Sequence, residues 1–274
     1  MNMIDFLPLI SGAIGGAASV GAFKGPIKTL EDLWYINYGY PATEKAAKLR
    51  ELQELNVKKY ADNIAEEMSK IKPDKVHEPA LNIMGPALEA SKYYIGTEEM
   101  RNMFSKLLAS SMNEEKDLVL HNSFVEIIKQ LSSVDAENLD IMNKSNTAPV
   151  AEIRVSNVAN SGYQTIHNNF FPTNSKTSDT QVVSASLDNL QRLGLISISY
   201  DKSIMPKDGV DPYNDIENAP FLQMLNTAFE QAKKIGIDKI PWLEQYQNFD
   251  KAYAAKGIIE LTQFGKNFCS TCIS

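Results

Sequence analysis

The chain has 274 residues, 43% hydrophobic and 22% charged, with a formal net charge of −7. These proportions exclude a disordered or fibrous chain, and the acidic balance argues against a sequence-independent nucleic-acid binder, which carries a basic excess. Both cysteines, Cys269 and Cys272, fall in the last six residues, so no disulfide framework is expected and a reducing, cytoplasmic setting is.

Residues 6–23 (FLPLISGAIGGAASVGAF) carry no charge. Asp5 precedes them and the first lysine is Lys24, so the basic start of a signal peptide is missing. As a helix the stretch would span roughly 27 Å, against a hydrocarbon core of about 30 Å. Gly12 and Gly16 form a GxxxG pair, continued by Ala13, Ala17 and Gly21, along which two copies could pack into a homo-oligomer. Lys24 and Lys28 would keep the body cytoplasmic. Two readings stay open: a conditional membrane contact, and an arm or small-residue helix, because glycines 12, 15, 16, 21 and 25 make a poor helix in water.

Residues 43–71 read as a long amphipathic helix with Leu49, Leu52, Tyr60, Ile64, Met68 and Ile71 on one face, ended by Lys72-Pro73-Asp74. Glu78-Pro79 opens a second helix with a stripe of Leu81, Met84, Leu88 and Ile95, which Pro86 should kink or split. Thr97 is placed to cap a third, with Glu98 and Glu99 in its first turn and Met100, Met103, Phe104, Leu107, Leu108 and Met112 as its core stripe. A fourth follows over 123–131 with Ser123 as N-cap, and Ser132-Ser133 starts a fifth that runs through Met142.

After Pro149 the period changes. Residues 151–155 alternate like a strand, and 157–178, rich in Asn, Ser and Thr, reads as a loop. Residues 182–193 form an amphipathic helix closed by Gly194, followed by strand alternation at Ile196, Ile198 and Tyr200. Gly257 to Leu261 reads as a returning strand, and Thr262 caps a last helix over 263–272. Helix, strand and returning strand resemble a winged-helix unit, with residues 201–256 as a large insertion between the wing strands. The insertion holds an acidic loop (Asp208, Asp211, Asp215, Glu217), a helix near 220–235, and Pro241-Trp242. The fold expected is therefore mainly α: an apolar Gly/Ala-rich segment (1–30), a helical domain (31–148) and an α+β winged-helix-like domain (149–274).

A winged helix suggests DNA binding, but charge argues against it. Residues 150–274 carry eleven basic and thirteen acidic groups, and the candidate recognition helix offers Arg192 against Asp188. Chemistry is equally sparse. Cys269 and Cys272 form a CxxC without further soft ligands, and with Phe268 and Ile273 they suit a buried helix face. His77, His121 and His167 have no paired spacing, and no phosphate loop, GxSxG or HExxH occurs. His121-Asn122-Ser123 is not an ordered triad, and residues 114–117 (EEKD) read as a solvated loop. No catalytic, cofactor-binding or metal-ligating residue is assigned, and the expectation is a non-enzyme without cofactors.

Residues 78–90, with Ile83-Met84-Gly85-Pro86-Ala87-Leu88, then 99–112, with Met100-Arg101-Asn102-Met103-Phe104 and Leu107-Leu108-Ala109, then 121–132, with His121-Asn122-Ser123-Phe124-Val125-Glu126-Ile127-Ile128-Lys129, form three motif blocks. Across 34–142 they resemble the abortive infection alpha family of bacterial phage-defence proteins. Met100, Asn102 and Asn122 stand where Leu, Glu and Pro are more typical. The resemblance implies that an infected cell is halted or killed before phage is released, and it supplies no catalytic residue. The helical block, the acidic balance and the lack of chemistry favour recognition of a phage or host protein by protein contacts. A membrane-active effector acting through residues 6–23 and a winged-helix nucleic-acid-binding regulator are the alternatives.

Overall fold

A computed structural model describes residues 47–157, 162–174, 177 and 179–273, with backbone alone for 47–54. The apolar stretch 6–23 lies outside the described residues. The chain divides into two compact units. One takes residues up to Asp140 and returns at Phe264; the other is Ile141–Gln263.

The first unit is helical: α1 (Ala47–Ser69), α2 (Leu81–Tyr94), α3 (Glu98–Ser110), α4 (Phe124–Ile128), most of α5 (Ser133–Ser145) and α9 (Gln263–Cys272). Helix α3 packs against α1, α2 and α4. Its stripe is buried as its spacing requires, with Phe104, Leu107 and Leu108 fully enclosed together with Tyr60, Ile64 and Met68 of α1. Such a core is what a 3.6-residue apolar period produces when its faces meet. A reciprocal cap starts α5: the Ser132 N–H and hydroxyl donate to Asp135 Oδ2 at 2.6 and 2.9 Å, and the Asp135 N–H donates back to Ser132 Oγ.

Several expectations change here. Glu78 and Pro79 precede α2, whose N-cap is Ala80. Pro86 does not split the helix. It lies on the exposed face with Asn82, the residue whose carbonyl loses its donor. Leu81 leaves the stripe and is 61% exposed. Thr97 and Ser123 hold the N-cap positions without a side-chain capping bond, and α4 is shorter than the apolar run suggests. Helix α9 belongs with the first unit rather than with residues 149–263.

The second unit is a four-stranded antiparallel sheet in the order β2-β1-β4-β3, made of β1 (Thr147–Ser156), β2 (Tyr163–Phe170), β3 (Ile196–Ser199) and β4 (Lys251–Leu261). Strands β1 and β4 pair without a bulge from Thr147↔Glu260 to Ser156↔Lys251, whereas β1–β2 carries register shifts near Ile153. Alternation divides β1: Ala151, Ile153 and Val155 join a core with Leu222, Leu225 and Phe229 of α8 (Pro220–Ile235), and Glu152 and Arg154 take the other side. Helix α6 (Thr180–Arg192) packs against β2 and β3, and a short α7 (Asn214–Glu217) precedes α8.

Helix α6 ends as its glycine requires. Gly194 has φ +74°, the Leu195 N–H reaches the Leu190 carbonyl, and the Gly194 N–H reaches that of Gln191, a Schellman closure. The polar stretch expected as a loop contains β2, an edge strand whose Tyr163, Gln164 and Asn168 are exposed. Strand β4 starts at Lys251, so the insertion is shorter than 201–256. The order α6, β3, β4 matches the helix–strand–strand reading. A strand rather than a helix precedes α6, and β1 and β2 extend the sheet beyond a wing.

Candidate functional site

The three motif blocks divide into a buried set and an exposed set. Arg101 belongs to the first. Its guanidinium donates to the carbonyls of Ile95 (2.8 Å) and Gly96 (3.2 Å) and to Asn56 Oδ1 (3.2 Å). It thereby serves carbonyls at the α2 end and ties the α2–α3 turn to α1. Phe124 stacks edge-on against Phe268 of α9 at 5.2 Å and tilts against Phe264 at 5.4 Å. Asn82, Pro86, Glu89, His121, Asn122 and Glu126 are exposed. Asn82 Nδ2 donates to Asn122 Oδ1 at 2.7 Å, linking α2 to the turn before α4, and Lys129 pairs with Glu126.

His121 and Ser123 are the arrangement nearest to a nucleophile and base. The Ser123 N–H reaches His121 Nδ1 at 3.1 Å and Ser123 Oγ is 2.7 Å from the same atom, so Nδ1 is the acceptor and the proton sits on Nε2. The ring rests on Phe264 at 5.5 Å. Among the described residues no carboxylate is bonded to Nε2 to orient this histidine as a base, and the pattern is that of a local turn closed by its side chains.

The other singled-out residues are dispersed. His77 bonds Asp117, and His167 bonds Thr180. Cys269 and Cys272 are buried, and desolvation pushes both thiols up to about 12. Among the described residues no three His, Cys, Asp or Glu side chains gather as a metal ion needs. Of the acidic loop, Asp211 and Glu217 hold Lys256 at 3.2 and 2.9 Å, and its ammonium lies 4.9 Å from the centre of the Tyr213 ring. Arg192 Nε and Nη2 both bond Asn189 Oδ1, while Asp188 accepts from Asn169, so α6 sets one cation against one carboxylate.

Two groupings had no sequence signature. Arg154 pairs with Glu152 and stacks over Tyr163, 4.1 Å from its ring centre. Gly257 is held between Tyr200 and Tyr213. A Cβ there would lie 2.5 Å from the Tyr200 ring, and the Tyr213 hydroxyl donates to the Gly257 carbonyl at 2.7 Å while accepting from the Ile204 N–H. Burial pushes Tyr200 up to about 12; its hydroxyl donates to Asn169 Oδ1 and accepts from the Asn169 N–H. The Tyr200, Tyr213 and Gly257 contacts join residues far apart in the chain, beyond any local pattern.

Among the described residues no helix is long and apolar enough to cross a membrane. No curated protein and no solved structure matches the chain. Residues 52–272 match abortive infection alpha, a stretch that takes in every motif block and both structural units. The chain belongs to the abortive infection alpha family.

Proposed function

We propose that this protein is a cytoplasmic, non-enzymatic phage-defence factor that recognises a phage or host protein through contacts of its helical unit. The family match over residues 52–272 carries the defence reading. Two features support protein contact. The motif residues Arg101, Phe104 and Phe124 are spent on packing and turn closure. Leu118 is 99% exposed on a turn whose neighbouring Lys116 Nζ donates to the Ser270 carbonyl at 2.8 Å. A leucine so placed contributes nothing to the core, and a partner that covered it would bury its apolar surface.

The test is phage challenge of cells expressing the full chain, Leu118→Asp and a Δ6–23 variant, with growth and membrane potential followed together. The expected result is protection lost in Leu118→Asp with an unchanged melting curve, protection kept in Δ6–23, and no early depolarisation. The membrane-effector reading rests on the uncharged stretch 6–23. It replaces this one when Δ6–23 abolishes protection and infected wild-type cells depolarise. The nucleic-acid regulator reading requires submicromolar duplex binding at physiological salt that Arg192→Ala removes.

A further inference from the structure

In the first unit, residues 72–78 lie against residues 112–117. Val76 bridges Asn113 in antiparallel fashion, and the His77 N–H donates to the Met112 carbonyl at 3.1 Å. Side chains repeat the pairing: Lys72 with Glu115 at 3.4 Å, Lys75 with Glu114 at 3.3 Å, and His77 Nε2 with Asp117 Oδ1 at 2.9 Å. The other ring nitrogen, Nδ1, is 2.6 Å from the Glu78 carbonyl. A carbonyl and a carboxylate both only accept, so His77 serves both as the doubly protonated imidazolium. Either neutral tautomer sets a lone pair against one of the two oxygens.

Among the contacts named, histidine alone has an ordinary pKa between the acid and lysine ranges. We propose that His77 is a proton-operated latch: charged, it holds residues 113–120, with the exposed Leu118, against residues 72–78; neutral, it lets that turn loosen. The groups facing His77 are Asp117 and Glu114 from the turn and the Glu78 carbonyl from its own segment. Burial lowers the His77 pKa, but the Glu78 carbonyl, Asp117 and Glu114 together outweigh it and leave the value raised. A raised value means the holding contribution is complete below about 6.5 and is lost as pH rises through the folded-state value. This device is independent of what Leu118 contacts, and its test uses no phage.

The experiment is ring-nitrogen NMR of the full chain labelled at histidine, with hydrogen exchange of residues 112–120 as protection factors from pH 5.5 to 9. The expected result is His77 titrating above 6.5, with protection falling at least three-fold across that same titration. Asp117→Asn should lower the His77 value, and His77→Gln should leave protection flat with pH. The latch is overturned when His77 titrates at or below 6.5, when protection does not follow its titration, or when His77→Gln keeps the wild-type pH profile.

Discussion

Gly257 is the residue on which the second unit closes. Its missing side chain is where the Tyr200 ring lies, and its carbonyl is where the Tyr213 hydroxyl ends. Gly257→Ala would force the new methyl to 2.5 Å from the Tyr200 ring and 2.8 Å from the Ser199 carbonyl. The backbone oxygen cannot swing aside as a flexible side chain can, so we expect a loss of about 1–3 kcal/mol in urea unfolding. Tyr200→Ala in the same chain should relieve part of that added cost, a coupling that a double-mutant cycle reads directly. A Gly257→Ala midpoint equal to wild type would show that the ring does not crowd this position. The two thiols make a second prediction at this scale. With both raised to about 12, roughly one thiol in ten thousand is thiolate at pH 8, and both are shielded. Ellman's reagent should therefore leave the native protein unmodified for hours at pH 8 and label both cysteines once it is denatured. Prompt labelling of the native chain would move this pair from the core to the surface.

At the level of elements, sequence pattern was most legible where one apolar face repeats. Helix α3 carries its stripe where the spacing puts it, and α8 and α9 have the bounds that Pro220, Ile235 and Cys272 suggest. The edge strand β2 escaped because its exposed residues are Tyr, Gln and Asn, and polar edge positions leave no two-residue apolar rhythm. Leu81 failed for the opposite reason: it continues the α2 stripe in spacing, yet at the first position of the helix it projects past the core. Arg101 was legible as a motif residue but not in its role. Charged side chains are rarely buried without partners, and its partners are the Ile95 and Gly96 carbonyls where α2 ends and the Asn56 side chain on α1. Arg101→Met keeps the apolar stem and removes all three bonds, leaving carbonyls near a helix end without their donor. We expect a cost of about 1–3 kcal/mol by chemical denaturation. All three bonds leave from Nη1, so Arg101→Lys should recover part of the cost, the rest being lost because the shorter lysine chain does not carry its ammonium to the same point. A neutral Arg101→Met would mean that solvent serves these carbonyls as well as the arginine does.

Across the whole molecule, chain order and spatial order differ, and this is what a linear reading could not supply. The pattern change expected after Pro149 falls inside β1, which begins at Thr147, and the sheet is local to residues 147–261. Nothing in the run of residues 263–272 shows that it returns to the helical unit, because an amphipathic helix states which face is apolar and not which core receives it. In the first unit Phe268, Cys269 and Cys272 are fully buried, and Ser110 Oγ donates to the Thr271 carbonyl at 3.0 Å. The helix therefore closes a core formed by residues far earlier in the chain. Phe268→Ala should cost about 3–5 kcal/mol, the range for a fully enclosed phenylalanine. Small domains hold about 5–15 kcal/mol in all, so removing residues 263–274 should go further and leave the first unit unfolded. Hydrogen exchange separates the two units in one experiment. In the truncated chain, residues 83–108 should lose their protection while β1 and β4, paired from Thr147 to Ser156, keep theirs. Retained protection over residues 83–108 would show that α1 to α4 form a complete core without the returning helix, and that the Phe124–Phe268 contact adds little to it.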